Sequence, residues 1–290
     1  MPLEELETLT DRYRAACLRD PATALPNLQV LRREAVSALE ATVYNPVLCL
    51  ILSGSKETHI GTQSVSLRRG DALLVSHDLP VTSKITQASP GNPYLALILS
   101  LDIGTVRALY EQVGEFAVEM PDARSMTASV AQAEWTDPLA RYLRLMDNPL
   151  EAQVLGPAVL RELHFRLLMS PMGGMLRNLL SVDSHASRIA RAIGQIRRSF
   201  RQPLVVADLA RSVGMSPSSF HEHFRDVTGT TPLQYQKDLR LIEAQTLLRS
   251  GGQSVSVTGH AVGYESPTHF SRDYARKFGC SPRHHLAQAS

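Results

Sequence analysis

Towards its C-terminal end the chain spells one pattern twice, and that repetition narrows the folds open to it more than any other feature. Val213-Gly214, Phe220, Phe224, Gly229 and Pro232 return about fifty residues later as Val262-Gly263, Phe270, Tyr274, Gly279 and Pro282. In each copy the aromatics stand four apart, a glycine follows five residues on, and a proline three after that. Aromatics at i, i+4 share one face of a helix. A Val-Gly step before them and a glycine after them read as a tight turn and a helix stop. The pattern predicts a short helix, a turn and a second helix, the helix-turn-helix form, in two copies.

Charge separates this end from the rest. Residues 1–180 hold 16 Lys and Arg against 20 Asp and Glu, whereas residues 181–290 hold 14 against 8 and seven of the ten histidines. That imbalance points to an anionic partner for the second part. The chain has 290 residues, with 43% hydrophobic and 20% charged, enough for two globular domains and unlike a disordered chain. Cys17, Cys49 and Cys280 form neither a CxxC spacing nor an even framework, which suits a reducing compartment. The first residues are acidic, unlike a secretory signal, and the longest apolar run, Val47 to Leu52, is too short for a bilayer. A cytoplasmic protein with no membrane partner is expected.

Along the chain, Leu6, Leu9, Tyr13 and Cys17 predict a helix over Leu3 to Leu18, stopped by Pro21 and Pro26. From about 28 to 101 the texture becomes short apolar runs between turn residues. Val47–Leu52, Thr58–Ile60, Val65–Leu67, Ala72–Val75, Val81–Ile85 and Tyr94–Leu101 read as strands. Turns fall at Ser53-Gly54-Ser55, Gly61-Thr62, Arg69-Gly70-Asp71 and Ser89 to Pro93, the spacing of a sandwich or barrel. Helical spacing returns at Ile103–Phe116, Pro138–Met146, Leu155–Met169 and Met175–Leu180. The stripe on Leu155–Met169 either packs on its own domain or serves dimerisation. Beyond Ser181 come Ser184–Phe200, Ala207–Val213, Pro217–Val227, Leu233–Arg249 (stopped at Ser250-Gly251-Gly252), Val255–Val262 and Pro267–Phe278. The domains are thus 1–180 and 181–290.

Ser216 and Ser266 are natural helix N-caps, each with proline at the first helical position. With Phe220, Phe224, Phe270 and Tyr274 facing the core, the other faces carry the candidate DNA contacts. These are Ser218, His221, Glu222 and Arg225 on the first recognition helix, with Ser219 beside them, and Thr268, Ser271 and Arg272 on the second, with His269 beside them. Arginine can fork onto guanine, glutamate can accept from cytosine, and hydroxyls reach phosphates or base edges. A connecting helix of about 17 residues spans ~25 Å, which could hold two recognition helices about one DNA turn apart.

The stretches DLARSVGMSPSSFHEHFRDVTGTTPLQYQKDLRL and AVGYESPTHFSRDYARKFGCSPRHH resemble the DNA-binding domain of the AraC/XylS family of bacterial transcription regulators. The resemblance runs from Pro203 to Leu286. It implies base-facing positions at Ser218, His221 and Glu222, and at Pro267, Thr268, Ser271 and Arg272. YNPVLCLILSGSKETHIG and LRRGDALLVSHDLPVTSKITQASPGNPYLALILSLD resemble the cupin-like N-terminal domain of an AraC subgroup. Together they imply an α+β chain: a cupin-like β-barrel with flanking helices, then an all-α domain with two helix-turn-helix units. Implied partners are double-stranded promoter DNA and a small-molecule effector, with RNA polymerase and a second copy of the chain open.

The second unit departs from the family pattern. Thr258 and Gly259 stand where an apolar β-branched residue and alanine are usual, and Gln253 replaces an apolar residue. Glycine within a helix costs ~1 kcal/mol relative to alanine, so the second unit is expected to be the weaker, and Gly259→Ala to stabilise it. The alternative is that glycine permits a close helix approach there. No metal, cofactor or catalytic group is expected. His59 and His77 form no His-x-His pair, His221 and His223 diverge on their helix, and His284-His285 reads as a solvated tail. Cys49, inside an apolar run, reads as an inert buried thiol, since a sensing thiol needs a depressed pKa and access. The rivals to a ligand-responsive regulator are a β domain that only dimerises and a cupin-type enzyme fused to a DNA-binding module.

Overall fold

A computed structural model of the chain describes residues 2–61, 63–116, 120, 124–181, 184–251 and 253–287. Met1, Thr62 of the expected turn and Gly252 of the expected helix stop lie outside them. The chain opens on α1 (Leu3–Arg19), with Leu6, Leu9 and Tyr13 buried at helical spacing. Eight strands follow: β1 (Leu28–Arg33), β2 (Glu40–Tyr44), β3 (Val47–Ser53), β4 (Ser55–Ile60), β5 (Gln63–Arg68), β6 (Asp71–Val75), β7 (Leu79–Gln87) and β8 (Tyr94–Ser100). Then come α2 (Ile103–Val113), β9 (Met126–Val130), α3 (Ala133–Arg144), α4 (Pro149–Met169) and α5 (Gly174–Leu180).

The strands form two antiparallel sheets, ordered β1-β8-β3-β6-β9 and β2-β7-β4-β5. The class is α+β, with the barrel realised as two facing sheets. Strand β3 explains the layering, because every one of its residues is buried. Leu48, Leu50 and Leu52 point into a core shared with Trp135 and Leu139 of α3 and Leu163 and Leu167 of α4. Val47, Cys49 and Ile51 point the other way, into the space between the sheets, with Ile60, Leu67, Leu79 and Val81. A strand covered on both faces needs a continuous apolar run rather than alternation. In β4 only Lys56, Thr58 and Ile60 turn inward, and the burial alternates.

Each of the six strand runs expected from the sequence falls on a strand. β1, β2 and β9 carry no comparable run, and all three are edge strands. Two helix starts also differ from expectation. α3 begins at Ala133, with Pro138 inside it. α4 begins at Pro149, because the Asn148 side chain caps it by accepting from the backbone N–H groups of Leu150 and Glu151.

The C-terminal region is all helix: α6 (His185–Ser199), α7 (Val206–Ser212), α8 (Pro217–Thr228), α9 (Pro232–Ser250), α10 (Val255–Ala261), α11 (Pro267–Phe278) and α12 (Pro282–Ala287). Ile189, Ile193, Leu209, Phe220, Phe224, Tyr235 and Leu239 share one core. Leu241, Ala244, Leu248, Val262, Phe270 and Tyr274 share another. α9 feeds both. The tail reading of His284-His285 is corrected here. Pro282 starts α12, and His285 is buried with its ring on Tyr274 and Phe278 and its Nδ1 2.7 Å from the Tyr274 hydroxyl.

The β region and the helical region touch directly. Tyr235 donates to the Asp78 carbonyl at 2.7 Å, Arg197 pairs with the Asp78 carboxylate, and Ser125 donates to the Val227 carbonyl. Gly61, at the end of β4, lies against the Gly229 backbone so closely that a Cβ there would stand 2.0 Å from the Gly229 carbonyl oxygen. Among the described residues no helix is long and apolar enough to cross a membrane.

Candidate nucleic-acid interface

Local chemistry builds both units in the same way. The Ser216 hydroxyl accepts from the Ser219 N–H at 3.3 Å, and the Ser266 hydroxyl from the His269 N–H at 3.4 Å. Pro217 and Pro267 fill the first helical position, where the missing N–H costs nothing. Both helices stop at a left-handed glycine, Gly229 and Gly279, whose N–H closes on the carbonyl four residues back. The inward aromatics are fully buried. Phe220 and Phe224 sit 5.5 Å apart between centroids, as do Phe270 and Tyr274, and Tyr235 meets Phe224 edge-on. Fixing that face leaves the opposite face of each helix to solvent.

On α8, Ser218, His221, Glu222 and Arg225 are exposed and Ser219 is half-buried. On α11, Pro267, Thr268, His269 and Arg272 are exposed and Ser271 is half-buried. The guanidinium groups of Arg225 and Arg272 have no hydrogen bond or ion pair among the described residues. Their neighbours are committed to the fold. Arg276 pairs with Asp273 at 2.8 Å, Lys237 with Asp273 at 3.2 Å, and Lys277 with Asp238 at 2.7 Å. Cations on these helices thus divide into structural ones and ones with coordination to spare.

The sequence carries no signal for the group that joins the units. Arg240, in the middle of α9, donates Nε to the Phe200 carbonyl at 2.7 Å and Nη1 to the Gly263 carbonyl at 2.8 Å. Its Nη2 donates to the carbonyls of Arg201 and Gln202. One side chain therefore ties the segment after α6 to the turn of the second unit. Gly263 makes this possible. Its φ is +92°, and a Cβ there would lie 2.2 Å from the Arg201 carbonyl oxygen.

Other expected features sit as follows. His77 is buried, with Nδ1 2.8 Å from the Ser76 hydroxyl and Nε2 3.5 Å from the Ala186 carbonyl, and burial lowers its pKa to about 4. His59 lies 3.4 Å from Glu57 on the outer face of β4. Among the described residues no three His, Cys, Asp or Glu side chains converge as a metal site would. Cys49 is buried, and desolvation pushes its thiol pKa up. On α8 His223 stacks on His185 of α6, with centroids 3.7 Å apart.

A two-sheet domain with helices on one side, docked on two linked helix-turn-helix units, defines a class of two-domain DNA-binding proteins. The chain belongs to the AraC-type transcriptional regulators: residues 24–175 match the AraC-type transcriptional regulator N-terminus, and residues 209–288 match a helix-turn-helix domain. It is 37% identical over 106 residues to the RCS-specific HTH-type transcriptional activator RclR of Escherichia coli K12, covering 37% of each chain. It is 30% identical over 132 residues to the HTH-type transcriptional activator RhaS of Escherichia fergusonii, covering 45% of this chain and 47% of that one. These alignments span under half the length of those relatives. In fold it is similar to ToxT of Vibrio cholerae bound to an unsaturated fatty acid, with TM-score 0.55 and 10% identity over 90% of this chain and 94% of that one.

Proposed function

We propose that residues 1–180 form a regulatory domain and residues 181–290 a promoter-binding domain, in a cytoplasmic regulator without enzymatic activity. α8 and α11 enter successive major-groove segments, α9 sets their separation, and Ser218, His221, Glu222, Pro267, Thr268, Ser271 and Arg272 face bases. Ser219 and Arg225 complete the contact surface. RNA polymerase and a second copy of the chain are further partners in this reading. The observation that carries it is the pair of outward faces whose Arg225 and Arg272 have no partner among the described residues, set against Lys237, Arg276 and Lys277, which are engaged in ion pairs. Arg272→Ala is expected to cost roughly 1–3 kcal/mol of binding and relax preference at one base position. Uniform weakening across a panel of operator variants would make Arg272 a phosphate contact instead.

A small-molecule effector bound between the two sheets is the second part of the proposal, and a specific observation favours it. Lys56 points into that space, 6% exposed, with its ammonium 2.6 Å from the Tyr44 hydroxyl and no carboxylate within ion-pair distance among the described residues. Beside it, among the described residues, the buried Thr58 hydroxyl has no hydrogen-bond partner and the buried Tyr94 hydroxyl has no nitrogen or oxygen partner, only the neighbouring Cys49 thiol. Buried polar groups left unpaired cost about 1–3 kcal/mol each, a cost that a polar ligand would relieve. ToxT, solved with a fatty acid, shows a fold of this kind holding a small molecule. In a thermal-shift screen of small metabolites, a compound that stabilises the wild type is expected to lose its effect on Lys56→Met. Retained stabilisation would exclude Lys56 from the site.

A further inference from the structure

Where the β region meets the helices lies a cavity of about 650 Å³, outside the space between the sheets and away from the outward faces of α8 and α11. Its walls come from both regions. The loop at 76–78 and Arg107 of α2 face Arg191, Gly194 and Arg198 of α6. Arg107, Arg191 and Arg198 are exposed to the cavity and have no hydrogen bond or ion pair among the described residues. The carboxylate on the same wall, Asp78, is already neutralised by Arg197. His77 beside it is held neutral by burial, so it adds no charge at physiological pH. Three cations thus share a recess with no free anion of the described residues to balance them. Their mutual repulsion is greater beside low-dielectric walls than in open water.

Gly194 is the second observation. It sits in the middle of α6, where glycine is worse than alanine by about 1 kcal/mol. A Cβ there would meet only the Arg198 Nη1, at an ordinary 3.5 Å. Nothing in the packing demands glycine, and its effect is to leave the cavity wider. The volume lies within the usual range for small-molecule sites, roughly 300–1,000 Å³.

We propose that this cavity binds a small organic polyanion, one carrying two or more phosphate or carboxylate groups, which bridges Arg107 of the β region to Arg191 and Arg198 of α6. Guanidinium groups are suited to it, because each can present two parallel donors to one oxyanion group. Since α6 packs on α8, the bound anion holds the docked arrangement in which Tyr235 reaches Asp78 and Ser125 reaches Val227. The site is separate from the effector space around Lys56 and from the base-reading faces, so it stands or falls independently of both.

Titration calorimetry on the full chain tests it, with citrate and pyrophosphate as separate probes and sodium chloride matched for ionic strength as the blank. The expected result is saturable one-to-one binding of at least one probe, with a rise in melting temperature. The responding probe identifies a carboxylate or a phosphate source. Arg107→Gln and Arg191→Gln are each expected to weaken that binding at least tenfold, while Arg19→Gln, on α1, leaves it unchanged. No saturable binding of either probe, or binding as tight in both cavity variants as in wild type, overturns the proposal. Duplex DNA binding without probe supplies the remaining arm. It is expected to be unchanged in Arg107→Gln and Arg191→Gln, and a loss there would make these arginines DNA-backbone contacts and overturn the proposal as well.

Discussion

The two helix-turn-helix units share caps, turns and aromatic pairs, yet different forces hold them. In the first, Leu209 and Ala210 of α7 pack into the core below Phe220. The end of α8 is then covered by the β region through Ser125, Gly61 and, from α9, Tyr235. In the second, the matching positions are Thr258 and Gly259. The Thr258 hydroxyl is fully buried without a partner among the described residues. Gly259 lies under the Phe270 ring, where a Cβ would stand 3.0 Å from Cδ1. Compensation comes from α9, through Lys237 on Asp273, Asp238 on Lys277 and Arg240 on Gly263. A repeated pattern therefore fixes shape in both units, while one rests on apolar packing and interdomain cover and the other on a charged helix.

If that contrast is right, Arg240→Ala does the most damage. It removes a donor from four carbonyls, of which those of Arg201 and Gly263 lose their side-chain partner while those of Phe200 and Gln202 keep the Gln236 amide, and about 3 kcal/mol of stability should go with it. Urea melts would show the loss. Affinity should fall for operators that need both units and hold for half-sites read by α8 alone. Equal losses on both would mean that Arg240 supports each unit rather than their junction.

Acid should separate the units the other way round. His77 contacts α6 in the folded chain with its pKa lowered from 6.5 to about 4 by burial. Above the unfolded value the ring is neutral in both states, and its contribution is complete. As pH falls from 6.5 towards 4 the unfolded chain takes up a proton that the folded one refuses, so stability is lost in that window, by roughly 3 kcal/mol at its foot. His77→Gln should flatten the melting-temperature curve over that range. Hydrogen exchange should show α8 losing protection before α11, and the reverse order would place the pH-sensitive joint elsewhere.

The smallest effects lie under Phe270, where the structure favours the alternative of a close helix approach at Gly259. Gly259→Ala was expected to stabilise if the site had room for a methyl group. A Cβ there stands 3.0 Å from the fully buried Phe270 ring and fits only if that ring gives by a few tenths of an ångström. Overpacking of about 1–3 kcal/mol exceeds a helix gain of at most ~1 kcal/mol, so the alanine variant should be about 1 kcal/mol less stable, read as a lower denaturant midpoint. Thr258→Val removes the unpaired hydroxyl at similar volume and should raise stability by about 1 kcal/mol. A higher midpoint for Gly259→Ala would restore the weak-helix reading.

Much of the fold was legible because its signals are local. Caps at Ser216 and Ser266, prolines at 217 and 267, and paired aromatics placed both units, and the all-buried β3 announced itself as an unbroken apolar run. The edge strands β1, β2 and β9 were not, since a half-bare strand writes a weaker pattern than a central one. Nor was the Arg240 clamp, whose acceptors are backbone carbonyls brought together only by folding. The same holds for His285, where two adjacent histidines look like a tail until α12 turns one of them back onto Tyr274. Of the candidate interface, the exposed positions were readable from helical phase. Which cations are free and which are engaged was not.

α9 belongs to two cores at once, with Tyr235 and Leu239 in one and Leu241, Ala244 and Leu248 in the other. A helix anchored at both ends of its length cannot fray from the middle. Its central amides open only when both units come apart, so they should be the slowest to exchange in the C-terminal region. What looks on paper like two modules strung on a linker is then two units that can open separately around a shared spine.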